Sequence, residues 1–141
     1  MKVKDLMTKE LFTLKEEHKI NLARDIMNWQ RVRHIPVVNI ENQVVGLLTH
    51  RDILKASISS IASLSARDQD ELDRAIPIKE IMHKNVVTVS PETDIREAAS
   101  KMIDQKIGCL PVVEDDKLVG ILTEADFLTL AWELSGKLAN N

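Results

Sequence analysis

The chain has 141 residues, 44% of them hydrophobic, with a formal net charge of -3. That supplies a packed core but no general electrostatic pull toward nucleic acid, and with 3% aromatic residues and no tyrosine there is little on which single-stranded bases could stack. The single cysteine, Cys109, excludes an intrachain disulfide framework, and the lack of a membrane-length apolar run or a secretory core leads us to expect a soluble cytoplasmic protein.

In chain order, Val3 to Met7 reads as a short amphipathic turn and Leu11 to Leu14 as a short extended stretch around Thr13. A helix is expected from Ile20 to Gln30, with Ile20, Ala23 and Met27 on its buried face. His34 to Val38 and Val44 to Leu48 flank a polar turn and read as a hairpin whose aliphatic strands are buried on both faces. A second helix begins at Thr49. Ile58, Ile61 and Leu64 keep helical spacing, so the reading is a helix extension followed by a mobile acidic connector around Asp68 to Asp73.

The same order then returns. Lys4, Met7, Thr13 and Pro36-Val37-Val38 reappear 75 positions on as Lys79, Met82, Thr88 and Pro111-Val112-Val113. Gly46, Thr49 and Asp52 reappear 74 positions on as Gly120, Thr123 and Asp126, because the first copy has one more residue in its Asn39 to Gln43 turn. Roughly eighteen identities in about fifty pairs make this a duplication and not chance. In the second copy Val86 to Val89 is the extended stretch, Thr93 the expected cap of the helix from Ile95 to Gln105, and Cys109 to Val113 with Leu118 to Leu122 the hairpin. The last helix starts at Thr123 and is expected to fray at Gly136. The expected division is residues 1–57 and 78–136 as the two repeats, 58–77 as a helical, acidic connector, and 137–141 as a frayed tail. Each half alone is small, so the two are expected to pack on each other.

Ile35-Pro36-Val37-Val38 followed by Gly46, Thr49 and Asp52, and Leu110-Pro111-Val112-Val113 followed by Gly120, Thr123 and Asp126, resemble the cystathionine β-synthase (CBS) domain. Two in tandem resemble the paired CBS, or Bateman, module. The resemblance implies an α/β fold of two β-α-β-β-α units in a pseudo-twofold pair, with two related clefts that bind adenosine compounds such as AMP, ADP, ATP or S-adenosylmethionine. It further implies regulation in place of catalysis, no required cofactor, a homodimer forming a disc of four CBS units, and an effector protein as the recipient of the signal. On the same basis Asp52 and Asp126 hold ribose, and backbone groups at Ile35-Pro36 and Leu110-Pro111 border adenine. His34 and Cys109 line the clefts, and Thr13 and Thr88 lie near base or ribose.

Read from the residues alone, Thr49 and Thr123 stand where a strand becomes a helix, and free amides there favour phosphate. An aspartate three residues on can accept from a pair of ribose hydroxyls. The same Thr and Asp also form a capping box, and both readings stand at this point. The copies differ where phosphate would lie: His50 and Arg51, with Arg31 and Arg33 upstream, against Glu124 and Ala125, with Lys106 and Gly108. The first is therefore expected to take the more highly charged ligand, the second a nucleoside-like ligand or none.

His34 and Cys109 have no metal-ligand spacing and no orienting third group, so neither metal binding nor catalysis is expected of them. His18, His50 and His83 read as scattered surface residues, and the paired methionines as core filling. Trp132 with Phe127 and Leu130 is the candidate self-association surface. The rival function is an interaction scaffold with unoccupied clefts. An enzyme is the weakest reading, because no acid, base and nucleophile set is clustered.

Overall fold

Both sequence copies fold around an antiparallel hairpin flanked by helices in the computed structural model, which describes residues 1–59 and 65–141. The order is α1 (Val3–Leu6), α2 (Ile20–Gln30), β1 (His34–Val38), β2 (Val44–Thr49), α3 (His50–Ser59) and α4 (Ala66–Ala75), then a 3-10 turn (Ile78–Glu80), α5 (Ile95–Gln105), β3 (Cys109–Glu114), β4 (Lys117–Thr123) and α6 (Glu124–Ala139). Ile61 and Leu64, and the side chain of Ile58, lie outside the described residues.

Two compact units result, Phe12–Val86 and Met1–Leu11 with Val87–Asn141. In the first, β1 pairs with β2 in a register that sets His34 against Thr49 and Pro36 against Leu47. In the second, Cys109 faces Thr123 and Pro111 faces Ile121. Four consecutive residues of β1 and of β3 are buried, and three of β4, as expected of strands covered on both faces, but burial in β2 alternates. The stretches before α2 and α5 contribute one ladder residue each instead of a strand. Leu14 N donates to Pro36 O (3.1 Å) and Leu14 O accepts from Val38 N (2.8 Å); Val89 makes the same pair with Pro111 and Val113 at the same distances. Each proline, having no N–H, contributes only its carbonyl to this contact.

The slip in the repeat is visible at the hairpin tips. Glu114 pairs with Lys117 across Asp115 and Asp116, both left-handed (φ 51° and 65°), a two-residue turn matched to strand twist. The longer first-copy tip is organised by Asn39, whose Oδ1 accepts from Glu41 N (3.0 Å) and Gln43 N (2.9 Å).

The opening turns are exchanged between copies. Val3, at the start of the first repeat, is fully buried with Val89, Ala98, Met102, Leu110, Val112 and Leu122. Ile78, at the start of the second, is buried with Leu14, Ile20, Met27, Ile35, Leu48 and Ile53. Backbone bonds fix both turns: Val3 N to Thr93 O (2.8 Å) and Ile95 N to Met1 O (3.0 Å), matched by Ile78 N to His18 O (2.8 Å) and Ile20 N to Ile76 O (3.1 Å). The exposed pairs Lys4–Glu92 (2.6 Å) and Lys79–Glu17 (2.7 Å) repeat the exchange in charge. Exposed pairs of this kind add little stability.

The exchange also accounts for two of the repeated residues. A Cβ on Gly120 would stand 2.6 Å from Met7 Sδ and 3.2 Å from Thr8 O, and one on Gly46 would collide with Met82 Sδ and approach His83 O to 3.1 Å. Each glycine is thus the floor on which the other copy's methionine lies.

Three local expectations change. Asp94, not Thr93, caps α5 by accepting from Arg96 N (2.9 Å), while Thr93 Oγ1 accepts from Ser90 N (3.1 Å). Asp68 to Asp73 is not a loose connector but part of α4, capped by Ser65. Its Asp73 is buried and takes Arg24 Nε at 2.8 Å and Gln69 Nε2 at 2.9 Å, while Arg24 also reaches Ser57 Oγ (2.8 Å). Acidity concealed this helix, since its partner cation is distant in sequence. Finally, α6 continues past Gly136 to Ala139, with no buried residue along its length.

Candidate functional site

In each unit a strand delivers a threonine to the start of a helix. Thr49 N donates to Asp52 Oδ2 (2.8 Å) and Asp52 N to Thr49 Oγ1 (3.2 Å). Thr123 N donates to Asp126 Oδ2 (2.9 Å), and the Thr123 side chain caps α6 in return. Both capping boxes are therefore formed, and the helix-start amides are partly satisfied from within: His50 N donates to Arg33 O (2.8 Å) and Glu124 N to Gly108 O (3.2 Å). Binding phosphate at these junctions must rely more on side chains than on the first amide.

Each aspartate has a second partner that the sequence reading did not find. Asp52 Oδ1 lies 2.8 Å from His83 Nε2, and Asp126 Oδ1 accepts from Thr8 Oγ1 at 3.2 Å. Thr8 and His83 are equivalent positions of the two repeats, each carried by an exchanged turn. The signal was a mismatch between aligned copies, Met7-Thr8-Lys9 against Met82-His83-Lys84. His83 is exposed as expected, but it is also a partner of the site. Asp52 itself is only 7% exposed, whereas Asp126 is half-buried.

The remaining candidates divide by burial. Thr13, Thr88 and His34 are half-buried, and His50 and Arg51 are exposed at the start of α3, as Glu124 and Ala125 are at the start of α6. Ile35 and Leu110 are 0% exposed, backbone included, and Pro36 and Pro111 are buried, so these four residues present little surface to a ligand. Hairpin register places His34 opposite Thr49 and Cys109 opposite Thr123, beside the capping boxes. Among the described residues no three His, Cys, Asp or Glu side chains form a group able to hold a metal ion.

Cys109 is buried, and its thiol is pushed from 9.0 up to about 12, first by burial and then by the Asp126 carboxylate. It remains a neutral thiol at physiological pH and is a poor nucleophile there. Because the unfolded thiol ionises first, the stability contributed by keeping this group neutral is whole below pH 9.0 and is lost as pH rises toward about 12. We expect wild type to lose up to about 1.4 kcal/mol per pH unit more than Cys109→Ala across that window. Urea unfolding at pH 8 to 11 checks this; parallel pH profiles for the two proteins contradict it.

The outer face of α6 leaves Leu128, Trp132 (77% exposed) and Leu138 uncovered. Phe127, expected to join Trp132 on this surface, instead packs against the Leu110 and Leu122 cluster, which corrects that part of the sequence reading.

A family model described as the CBS domain matches the chain twice, over residues 3–59 and 78–133. The chain belongs to the CBS domain family. As a CBS pair it is 37% identical to a Vibrio cholerae protein described as a candidate acetoin utilization protein (AcuB), whose crystal structure matches with a TM-score of 0.83 over 100% of this chain and 97% of that one. The CBS domain pair of MJ0100, crystallised with 5′-methylthioadenosine and S-adenosyl-L-methionine, is 30% identical, with a TM-score of 0.78 over 92% of this chain and 98% of that one. A homoserine O-acetyltransferase of Methanohalobium evestigatum is 37% identical over 132 residues, 93% of this CBS pair, which spans only 24% of that protein. No helix among the described residues is long and apolar enough to cross a membrane.

Proposed function

We propose that this CBS pair is a regulatory module of the cytoplasm that binds adenosine compounds at its two strand-to-helix junctions and passes occupancy to an effector protein or to its own dimeric state, without catalysis. The observation that carries the reading is the duplicated Thr–Asp box, with a nearly buried carboxylate at Asp52, in a chain 30% identical to a CBS pair that holds 5′-methylthioadenosine and S-adenosylmethionine. A carboxylate accepts from vicinal ribose hydroxyls, which every adenosyl ligand carries, and no required cofactor enters this scheme.

Charge separates the two sites. His50 and Arg51 begin α3 where Glu124 and Ala125 begin α6, so the Asp52 site favours a phosphorylated ligand such as ATP, ADP or AMP, and the Asp126 site an uncharged or sulfonium nucleoside. Calorimetric titration with ATP, AMP and S-adenosylmethionine tests both levels. Asp52→Ala is expected to weaken ATP binding tenfold or more. Loss of ATP binding in Asp126→Ala alone contradicts the charge assignment. If no adenosine compound binds or raises the melting temperature, the sensor reading fails.

A second reading, an interaction scaffold, is favoured by the uncovered Leu128, Trp132 and Leu138 on α6. In the sensor reading the same face is the homodimer contact, and Trp132→Glu is expected to lower the measured mass in solution.

A further inference from the structure

Both oxygens of each site aspartate are already engaged. Oδ2 is held by the capping amide of its own helix. Oδ1 is different, because its partner is a side chain from an exposed turn. At Asp52 that partner is the His83 imidazole at 2.8 Å; at Asp126 it is the Thr8 hydroxyl at 3.2 Å. A carboxylate only accepts, so His83 Nε2 is a donor here, and it takes up part of the acceptor capacity of the oxygen that an incoming ribose hydroxyl would use.

We propose that residues 83 and 8 are positioning residues that compete with the ligand for the site aspartates, His83 closing Asp52 more firmly than Thr8 closes Asp126. This deepens, and rests on, the adenosine-binding reading. The backbone holds both competitors in place. His83 N and O exchange 2.9 Å bonds with Leu47, and Thr8 N and O do the same with Ile121, each beside a glycine covered by the neighbouring methionine. The turn therefore stays docked while the side chain alone decides whether the oxygen is available. His83 is 60% exposed, so its ring can rotate into solvent without opening the core.

The asymmetry makes the gate a filter. An imidazole N–H on a buried carboxylate is a stronger partner than a hydroxyl at 3.2 Å on a half-buried one. A ligand that opens Asp52 must therefore bring binding energy from elsewhere, and the exposed His50 and Arg51 supply it only to a phosphorylated compound. The Asp126 site admits nucleosides without that demand.

The test isolates each site and exchanges the competitors. In an Asp126→Ala background, where only the Asp52 site remains, His83→Ala is expected to tighten AMP binding roughly tenfold, with His83→Thr between it and wild type. His83→Ala is also expected to let S-adenosylmethionine bind there, narrowing the preference for AMP. In an Asp52→Ala background, Thr8→His is expected to weaken S-adenosylmethionine binding. Opposite shifts from the reciprocal exchange are not produced by a merely structural role. Binding that is present but unchanged by these substitutions overturns the competition and leaves the adenosine reading standing. Absence of binding in wild type and in His83→Ala alike overturns both. Binding that emerges only in His83→Ala supports the gate directly.

Discussion

Ile78→Ala is expected to destabilise the Phe12–Val86 unit by about 2–5 kcal/mol. The side chain is fully buried, and its removal leaves a void among Ile35, Leu14, Leu48 and Ile20 that surrounding hairpin and helix cannot fill. Sequence order assigns residue 78 to the second repeat, whose hydrophobic cluster contains Leu110 and Leu122. The two assignments differ in a double-mutant cycle. Combined with Ile35→Ala, the loss is expected to be non-additive by about 0.5–3 kcal/mol; combined with Leu110→Ala, it is expected to add within about 0.5 kcal/mol. Urea denaturation of the singles and doubles provides the values. Coupling to Leu110 in place of Ile35 contradicts the exchange of turns.

Gly120→Ala is expected to cost about 1–3 kcal/mol, although neither Gly120 nor Gly46 has a positive φ that demands glycine. The cause is space. The added methyl meets Met7 Sδ, which can swing away, and Thr8 O, which cannot, because Thr8 is bonded through both N and O to Ile121. Met7→Ala in the same chain is expected to relieve part of the clash, so that the double variant loses less than the two single variants together. Thermal unfolding of all three decides it: additive losses place the strain elsewhere. The corresponding pair in the other unit is Gly46 with Met82, and it is expected to behave alike.

Much of this architecture was legible in the sequence because it is written twice. The hairpins followed from aliphatic runs around polar tips, and the buried face of the first long helix from the spacing of Ile20, Ala23 and Met27, all three of which are buried. The repeated threonines and aspartates marked the helix starts correctly. What repetition could not show is which turn serves which hairpin. Val3 with Met7 and Ile78 with Met82 carry the same pattern, so either turn fits either glycine floor on sequence grounds. The competitor of Asp52 was hidden for the same reason, since His83 precedes its own repeat's hairpin and looked like an unassociated surface histidine. In α4, a run of acids read as solvated chain, because the one acid that is buried, Asp73, is neutralised by Arg24 from another helix.

The exchanged turns also set an order of assembly during synthesis. The Phe12–Val86 unit is a single uninterrupted segment and has all its parts once Val86 has emerged. The other unit is begun before it and completed after it: Val3 and Thr8 are made before any of Phe12–Val86, yet the groups that house them, from Val89 to Asp126 at a separation of 118 residues from Thr8, all follow Val86. During that interval the Val3–Met7 face has no partner in its own unit and is an exposed apolar turn, available to a chaperone or to the matching glycine floor of another chain.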